Sequence, residues 1–269
     1  MDLLQPEIFR RFSAHPGDLR ERLGALSRPA TVVLDEIQRV PALLPLVHSL
    51  IEEKKGRRFV LTSSSSRKLK RRGVDLLAGR AVLAWLHPFL ASELGPHFRL
   101  ADSLEKGLLP IVLDAEEPDR VLETYAALYL KEEVQTEGLV RNIGNFSRFL
   151  NVISFSHASL LNVSNVAREC EVERKVVEGY VAVLEDLLLG YRLSVFTKRA
   201  RRAVVKHPKF YLFDAGIYRS LRAEGPLDRP EEIQGSALEG LVAQHLRGGS
   251  TTHQKTSRFI SGARAAAWK

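Results

Sequence analysis

The chain has a single cysteine, Cys170, in 269 residues. One thiol excludes an internal disulfide and any zinc site built from cysteines, so redox and structural-zinc roles drop out together. The eight histidines are scattered, without the two-on-one-helix-face spacing of a zinc hydrolase. Long apolar runs are missing as well: charge interrupts every hydrophobic stretch well short of the roughly 20 residues that a membrane span needs. The N-terminus, Met1 to Glu7, has no basic-then-apolar leader character. These absences predict a cytoplasmic protein with no membrane partner. Nor does any glycine directly precede a lysine. That excludes the loop Gly-x-x-x-x-Gly-Lys-Ser/Thr, whose backbone N–H groups wrap phosphates while its lysine reaches the β and γ oxygens.

Acidic residues are in deficit, 32 against 40 lysines and arginines, giving a net charge of +8. A surplus of that size favours contact with a polyanion, and double-stranded DNA is the natural candidate. The length accommodates about two domains at a prior of roughly 150 residues each.

The most informative stretch is Thr31 to Pro41, an apolar run that ends in two adjacent carboxylates, Asp35 and Glu36. At the carboxyl end of a central parallel strand, such a pair suits ATP hydrolysis: Asp35 would hold Mg²⁺ through water, and Glu36 would polarise the attacking water. A buried strand running into an exposed acidic turn is the plain alternative. Around this run the pattern alternates. One helical region covers residues 1–29, with Pro16-Gly17 breaking the chain before Leu19, Leu23 and Leu26, which share a face, and a helix covers about 41–55. A strand follows at Phe59 to Thr62, then the serine tract Ser63–Ser66, a helix at 67–77 and a third strand at Ala81–Trp85. Strands alternating with helices at this spacing imply βαβ units and a parallel sheet, with the chemistry at the strands' carboxyl ends.

The succession Leu34-Asp-Glu-Ile-Gln-Arg-Val-Pro41, Phe59-Val-Leu-Thr-Ser-Ser-Ser65, Leu77-Ala-Gly-Arg80 and Leu86-His-Pro-Phe89 with Glu93 resembles prokaryotic AAA+-type ATPases that carry a winged helix and a C-terminal restriction-endonuclease-like domain. The resemblance implies ATP and Mg²⁺ as cofactors. It also implies Ser64 as the sensor that reads the γ-phosphate, Arg80 as the arginine that neutralises transition-state charge, and a homo-oligomer if that arginine acts in trans. Two departures stand out: Ser63 replaces an expected glycine, and Arg67–Arg72 is unusually basic. The phosphate loop of the resembling proteins lies upstream of the segment like Met1–Leu23, so the expectation is a core that starts after it and does not hydrolyse ATP alone.

The predicted fold is α/β: an incomplete parallel P-loop NTPase sheet with flanking helices, then a helical segment and a winged helix-turn-helix. The expected domains are 1–110 for the ATPase core, 111–157 for a helical lid and 158–222 for the winged helix. Residues 223–247 would open a nuclease-like domain, and 248–269 form an irregular tail. Within 161–186 the period is that of two short helices around a tight turn, with Ser164 as N-cap, and with Arg174 and Lys175 facing outward among Glu171, Glu173 and Glu178. Alternating segments at Tyr191–Phe196 and Lys209–Phe213 would pair as a wing. Its tip carries Lys198, Arg199, Arg201 and Arg202, with Lys206 extending the patch, which suits phosphate contact. A solvated hairpin, or a purely structural winged helix, is the alternative. The resemblance puts a nuclease-domain glutamate at Glu239. Residues 248–269 hold no aspartate or glutamate, so no Mg²⁺-binding hairpin follows; the expectation is a tail read out of frame relative to the resembling proteins. Two readings stay open: an ATPase coupled to a DNA-bound winged helix, or a nucleotide-independent basic binding module or vestigial fragment.

Overall fold

A computed structural model describes residues 1–27, 29–64, 80–82, 84–129, 134–135, 140, 142–194 and 207–253. The chain divides into two compact units, Met1–Leu83 and Ala84–Lys269. Residues 84–110, which the sequence pattern groups with the first domain, therefore pack within the second. No helix among the described residues is long and apolar enough to cross a membrane.

In the first unit the N-terminal helical region is two helices, α1 (Pro6–Ala14) and α2 (Asp18–Gly24), on either side of the expected break. The Pro16-Gly17 break ends the first, because proline supplies no N–H and glycine weakens a helix. Strand β1 (Ala30–Leu34) leads through a 3₁₀ turn at Ile37–Arg39 into α3 (Leu43–Glu52), and β2 (Arg57–Leu61) returns parallel to β1. Pairing runs in register from Ala30 against Arg57 to Leu34 against Leu61. The other edge of β1 is also covered: Asp2 bridges to Asp35, with Asp35 N–H donating to Met1 O (2.9 Å) and Leu3 N–H to Asp35 O (3.2 Å). One face of this small sheet carries Val32 and Leu34, which pack with Leu3, Phe12, Leu19 and Leu23 and with the α3 stripe Leu43, Leu44, Val47 and Leu50. On the opposite face Val33 and Val60 lie side by side and exposed. The expected third strand at Ala81–Trp85 is not observed: Ala81, Val82, Ala84 and Trp85 belong to no sheet. An alternating apolar run forms a strand only where a neighbour accepts its backbone hydrogen bonds.

After a single helical turn at Ala91–Leu94 and a 3₁₀ turn at Gly95–His97, the second unit continues with short helices, α4 (Leu100–Lys106), α5 (Pro110–Leu113) and α6 (Pro118–Thr124), the last continuing as a π-helical turn at Tyr125–Tyr129. Then come α7 (Ile143–Ser154), β3 (Ser159–Leu160), α8 (Val163–Cys170), α9 (Arg174–Asp186), β4 (Gly190–Leu193), β5 (Lys209–Leu212) and α10 (Ala215–Leu221). A long helix, α11 (Pro230–His253), closes the described chain. The three strands form an antiparallel sheet in the order β3-β5-β4. Asn162, not Ser164, caps α8: its side chain accepts from Asn165 N–H at 3.1 Å, because the helix starts at Val163. Glu171 takes the left-handed conformation in the turn before α9, with φ 56°.

Close approach inside this unit depends on glycine. A Cβ at Gly216 would lie 2.3 Å from Lys106 O, and one at Gly240 would lie 2.2 Å from the His157 ring. His157 is 3% exposed, stacks on Tyr218 at 4.1 Å and accepts Leu212 N–H through Nδ1 at 3.0 Å. Burial pushes its pKa down to about 4. The folded form thus binds a proton later than the unfolded chain does, and stability falls as pH drops from the ordinary histidine value towards 4. We expect wild type to lose about 3 kcal/mol more than His157→Gln between pH 7 and 4 in urea titrations. A pH-independent difference between the two proteins would refute this.

Candidate functional site

The in-register pairing of β1 with β2 sets the chemistry of this edge. Residues 35 and 62 leave the sheet together, so whatever follows Leu34 faces whatever follows Leu61. Thr62 is the hinge of the arrangement. Its N–H donates to Leu34 O (3.1 Å), its carbonyl accepts from Ile37 N–H (3.1 Å), and its Oγ1 accepts from Glu36 N–H (3.1 Å) while donating to Asp35 Oδ1. One threonine thus holds the backbone of Glu36 and the side chain of Asp35. Glu36 needs that support, since it sits at φ 58° and ψ 44°, a left-handed conformation that strains a residue with a side chain.

Gln38 makes the second link. It is 6% exposed, and its Nε2 donates both to Glu36 Oε2 and to Ser64 Oγ, the latter at 3.1 Å. Its Oε1 is buried without a partner among the described residues. Asp35, Glu36 and Ser64 are therefore brought together, joined by two side chains, Thr62 and Gln38, that the sequence pattern did not single out. A polar residue one position past a strand, and an amide two past a carboxylate pair, were the only available signals.

Arg80 is not brought to this cluster. It pairs with Glu52, holding that carboxyl below its ordinary value through a hydrogen bond and its charge. Glu52 ends α3, whose other end adjoins the carboxylates. Ten helical residues span about 15 Å, so Arg80 lies at the amino end of the strands.

The residues present fit only part of an ATP–Mg²⁺ site. Asp35 Oδ2 has no partner among the described residues, and one carboxylate with a neighbouring hydroxyl suits Mg²⁺, which keeps most of its waters. No group of three histidine, cysteine, aspartate or glutamate side chains converges among the described residues, and no glycine–lysine pair exists in the chain to cradle phosphates. The acidic half fits, and the phosphate half does not.

In the second unit, Arg174 and Lys175 stand exposed on the first turn of α9, but Arg174 pairs with Glu178 at 2.9 Å. Arg148 pairs with Glu171 at 2.8 Å, so carboxylates crowd this helix start. Lys198, Arg199, Arg201, Arg202 and Lys206 lie outside the described residues, as do the basic run Arg67–Arg72 and the helix expected at 67–77. Glu239 accepts from Lys209 Nζ (2.6 Å) and Tyr211 Oη (2.7 Å), tying α11 to β5.

Comparison with known proteins also divides the chain in two, at a boundary near residue 96 that lies beyond the one between the compact units. Residues 2–95 match the family model described as an AAA domain, and residues 98–228 match one described as a domain of unknown function (DUF8612). The first match supports an AAA-type, P-loop-NTPase-like domain, a class that in general binds nucleotide and Mg²⁺. Two curated relatives, an uncharacterized protein of Mycobacterium bovis and one of Mycobacterium tuberculosis, are each 24% identical over 221 residues, covering 80% of this chain and 50% of theirs. The chain thus spans about half the length of the curated relatives it matches. No solved structure matches.

Replacing Thr62 by valine keeps the shape and removes both side-chain hydrogen bonds. We expect Thr62→Val to destabilise the protein by about 1–3 kcal/mol in chemical denaturation. A change within experimental error would mean that the hydroxyl does not hold the carboxylates.

Proposed function

We propose that residues 1–83 are the acid-and-sensor half of an AAA-type ATPase site. In this reading Asp35 is the water-mediated Mg²⁺ ligand, Glu36 the residue that polarises the attacking water and Ser64 the γ-phosphate sensor. The observation that carries it is the Gln38 amide joining Glu36 to Ser64 beside the Thr62–Asp35 contact, within the segment that matches an AAA domain. Bound nucleotide and Mg²⁺ would supply the phosphoryl group and its charge neutralisation. This chain's residues would orient water and report the terminal phosphate. With no phosphate loop in the chain, ATP hydrolysis by the chain alone is not part of the proposal. Arg80, paired with Glu52, would act in a neighbouring copy's site.

The test is hydrolysis. The chain alone should release phosphate from ATP at the buffer rate. A chain extended at its N-terminus by a strand–Gly-x-x-x-x-Gly-Lys-Thr–helix unit should hydrolyse ATP, and Glu36→Gln should lower that rate at least about a hundredfold. Hydrolysis untouched by Glu36→Gln would sink the assignment.

A second reading concerns Ala84–Lys269, and a specific observation favours it. The order α7-β3-α8-α9-β4-β5, with a β3-β5-β4 sheet, is the arrangement expected of a winged helix, and β4 and β5 pair as the predicted hairpin. We assign it double-stranded DNA as partner, bound through the hairpin connection that carries Lys198, Arg199, Arg201, Arg202 and Lys206. Because carboxylates surround Arg174 and Lys175, the start of α9 contributes less. Duplex affinity should fall steeply with salt, and Arg199→Glu, Arg201→Glu and Arg202→Glu together should weaken it at least about tenfold in anisotropy titrations. Affinity indifferent to those reversals would remove DNA from the account.

A further inference from the structure

In the second unit, a cavity of about 30 Å³ is lined by Trp85, His87, Leu188, Tyr191, Gln244 and Arg247, among others; the Glu185 charge also acts on Arg247. The cavity's volume exceeds what one water requires. Two polar groups in its wall lack partners among the described residues: Tyr191 Oη and Gln244 Oε1, both buried. Gln244 is only 4% exposed, and its Nε2 is committed to Phe89 O at 3.3 Å, which leaves Oε1 as the side that needs a donor. Tyr191 Oη–H needs an acceptor. An unmet buried polar group costs roughly 1–3 kcal/mol, so two around one cavity point to something that satisfies both.

The electrostatics narrow the choice. Arg247 lies over the Tyr191 ring at 4.1 Å, which fixes its guanidinium at the wall. Burial and the Arg247 charge keep His87 below its ordinary value, so it is neutral at pH 7 and adds no second cation. Burial pushes the Tyr191 hydroxyl up to about 12, so it remains a donor. Leu188, which also lines the cavity, is held at φ 63° where the chain turns from α9 into β4.

We infer that this cavity binds a small oxyanion carrying a proton, of the hydrogenphosphate or bicarbonate class. Its charged oxygen faces Arg247 and accepts from Tyr191 Oη, while its O–H donates to Gln244 Oε1. This cavity shares no residue with those assigned to ATP or to DNA. Sulfate is the discriminating probe: it matches phosphate in shape and carries no proton at pH 7, so its oxygen would oppose the Gln244 carbonyl.

The experiment uses the full chain with Trp268→Phe, so that Trp85 alone reports by fluorescence. It titrates inorganic phosphate, bicarbonate, sulfate and chloride at constant ionic strength and pH 7, with thermal unfolding midpoints measured in parallel. Saturable binding of phosphate or bicarbonate is expected, with sulfate at least about tenfold weaker. Arg247→Gln should weaken every oxyanion, and Gln244→Leu should bring phosphate down to the sulfate level. If either variant fails to fold, the phosphate-to-sulfate ratio of the parent chain decides alone. Equal response to phosphate, sulfate and chloride, or no saturable response, overturns the inference and leaves a cavity filled by water.

Discussion

The parallel, in-register pairing of β1 with β2 is the constraint on which the first unit depends. Five backbone pairs bring Leu34 and Leu61 level, and Thr62 then bonds across the strand ends through its N–H, carbonyl and hydroxyl. Shifting the register by one residue would turn Val32 and Leu34 away from the core and move the serine tract away from the carboxylates. The core under the sheet and the polar cluster at its end are therefore two consequences of one alignment. The same alignment keeps Glu36 in its left-handed conformation, because Thr62 accepts its N–H.

The second unit rests on close packing around buried polar groups. Asp214 caps α10 through Gly216 and Ile217 N–H and reaches Leu108 N–H at 2.7 Å; burial pushes its pKa up to about 6 even against these three donors. The glycines at 107 and 216 leave room for that carboxylate and for the end of α4: a Cβ at Gly107 would collide with Asp214 itself. His157 plays a similar part between β5 and α11, with Gly240 against its ring. These contacts hold α10 and α11 against the sheet, while Arg174 and Lys175 at the start of α9 stay exposed.

Much of this was legible in the residues. An apolar run that ends in Asp35-Glu36, with a second run ending in serines, is a short strand-length signal with a chemical terminus, and both strands formed where it indicated. The paired segments at 190–193 and 209–212 were legible for the same reason. Thr62 and Gln38 were not, because a hydroxyl or an amide beside a strand end has no periodicity and gains meaning only from what it touches. Ala81–Trp85 alternated like a strand, yet its described residues pair with none. Ser164 had the chemistry of a cap, and Asn162 had it too, two residues earlier; the actual first turn of α8 chose between them. Arg80 sat at a familiar spacing from the serines, and its ion pair with Glu52 carries it to the other end of the sheet.

The central claim is that Gln38 couples Glu36 to Ser64, and a double-mutant cycle tests it most directly. Urea denaturation of Glu36→Gln, Ser64→Ala and the double variant should give a coupling energy of about 0.5–1.5 kcal/mol in the parent chain. The account predicts that this coupling vanishes when the cycle is repeated in a Gln38→Leu background. Strict additivity in the parent chain, or a coupling that survives the loss of Gln38, would contradict it.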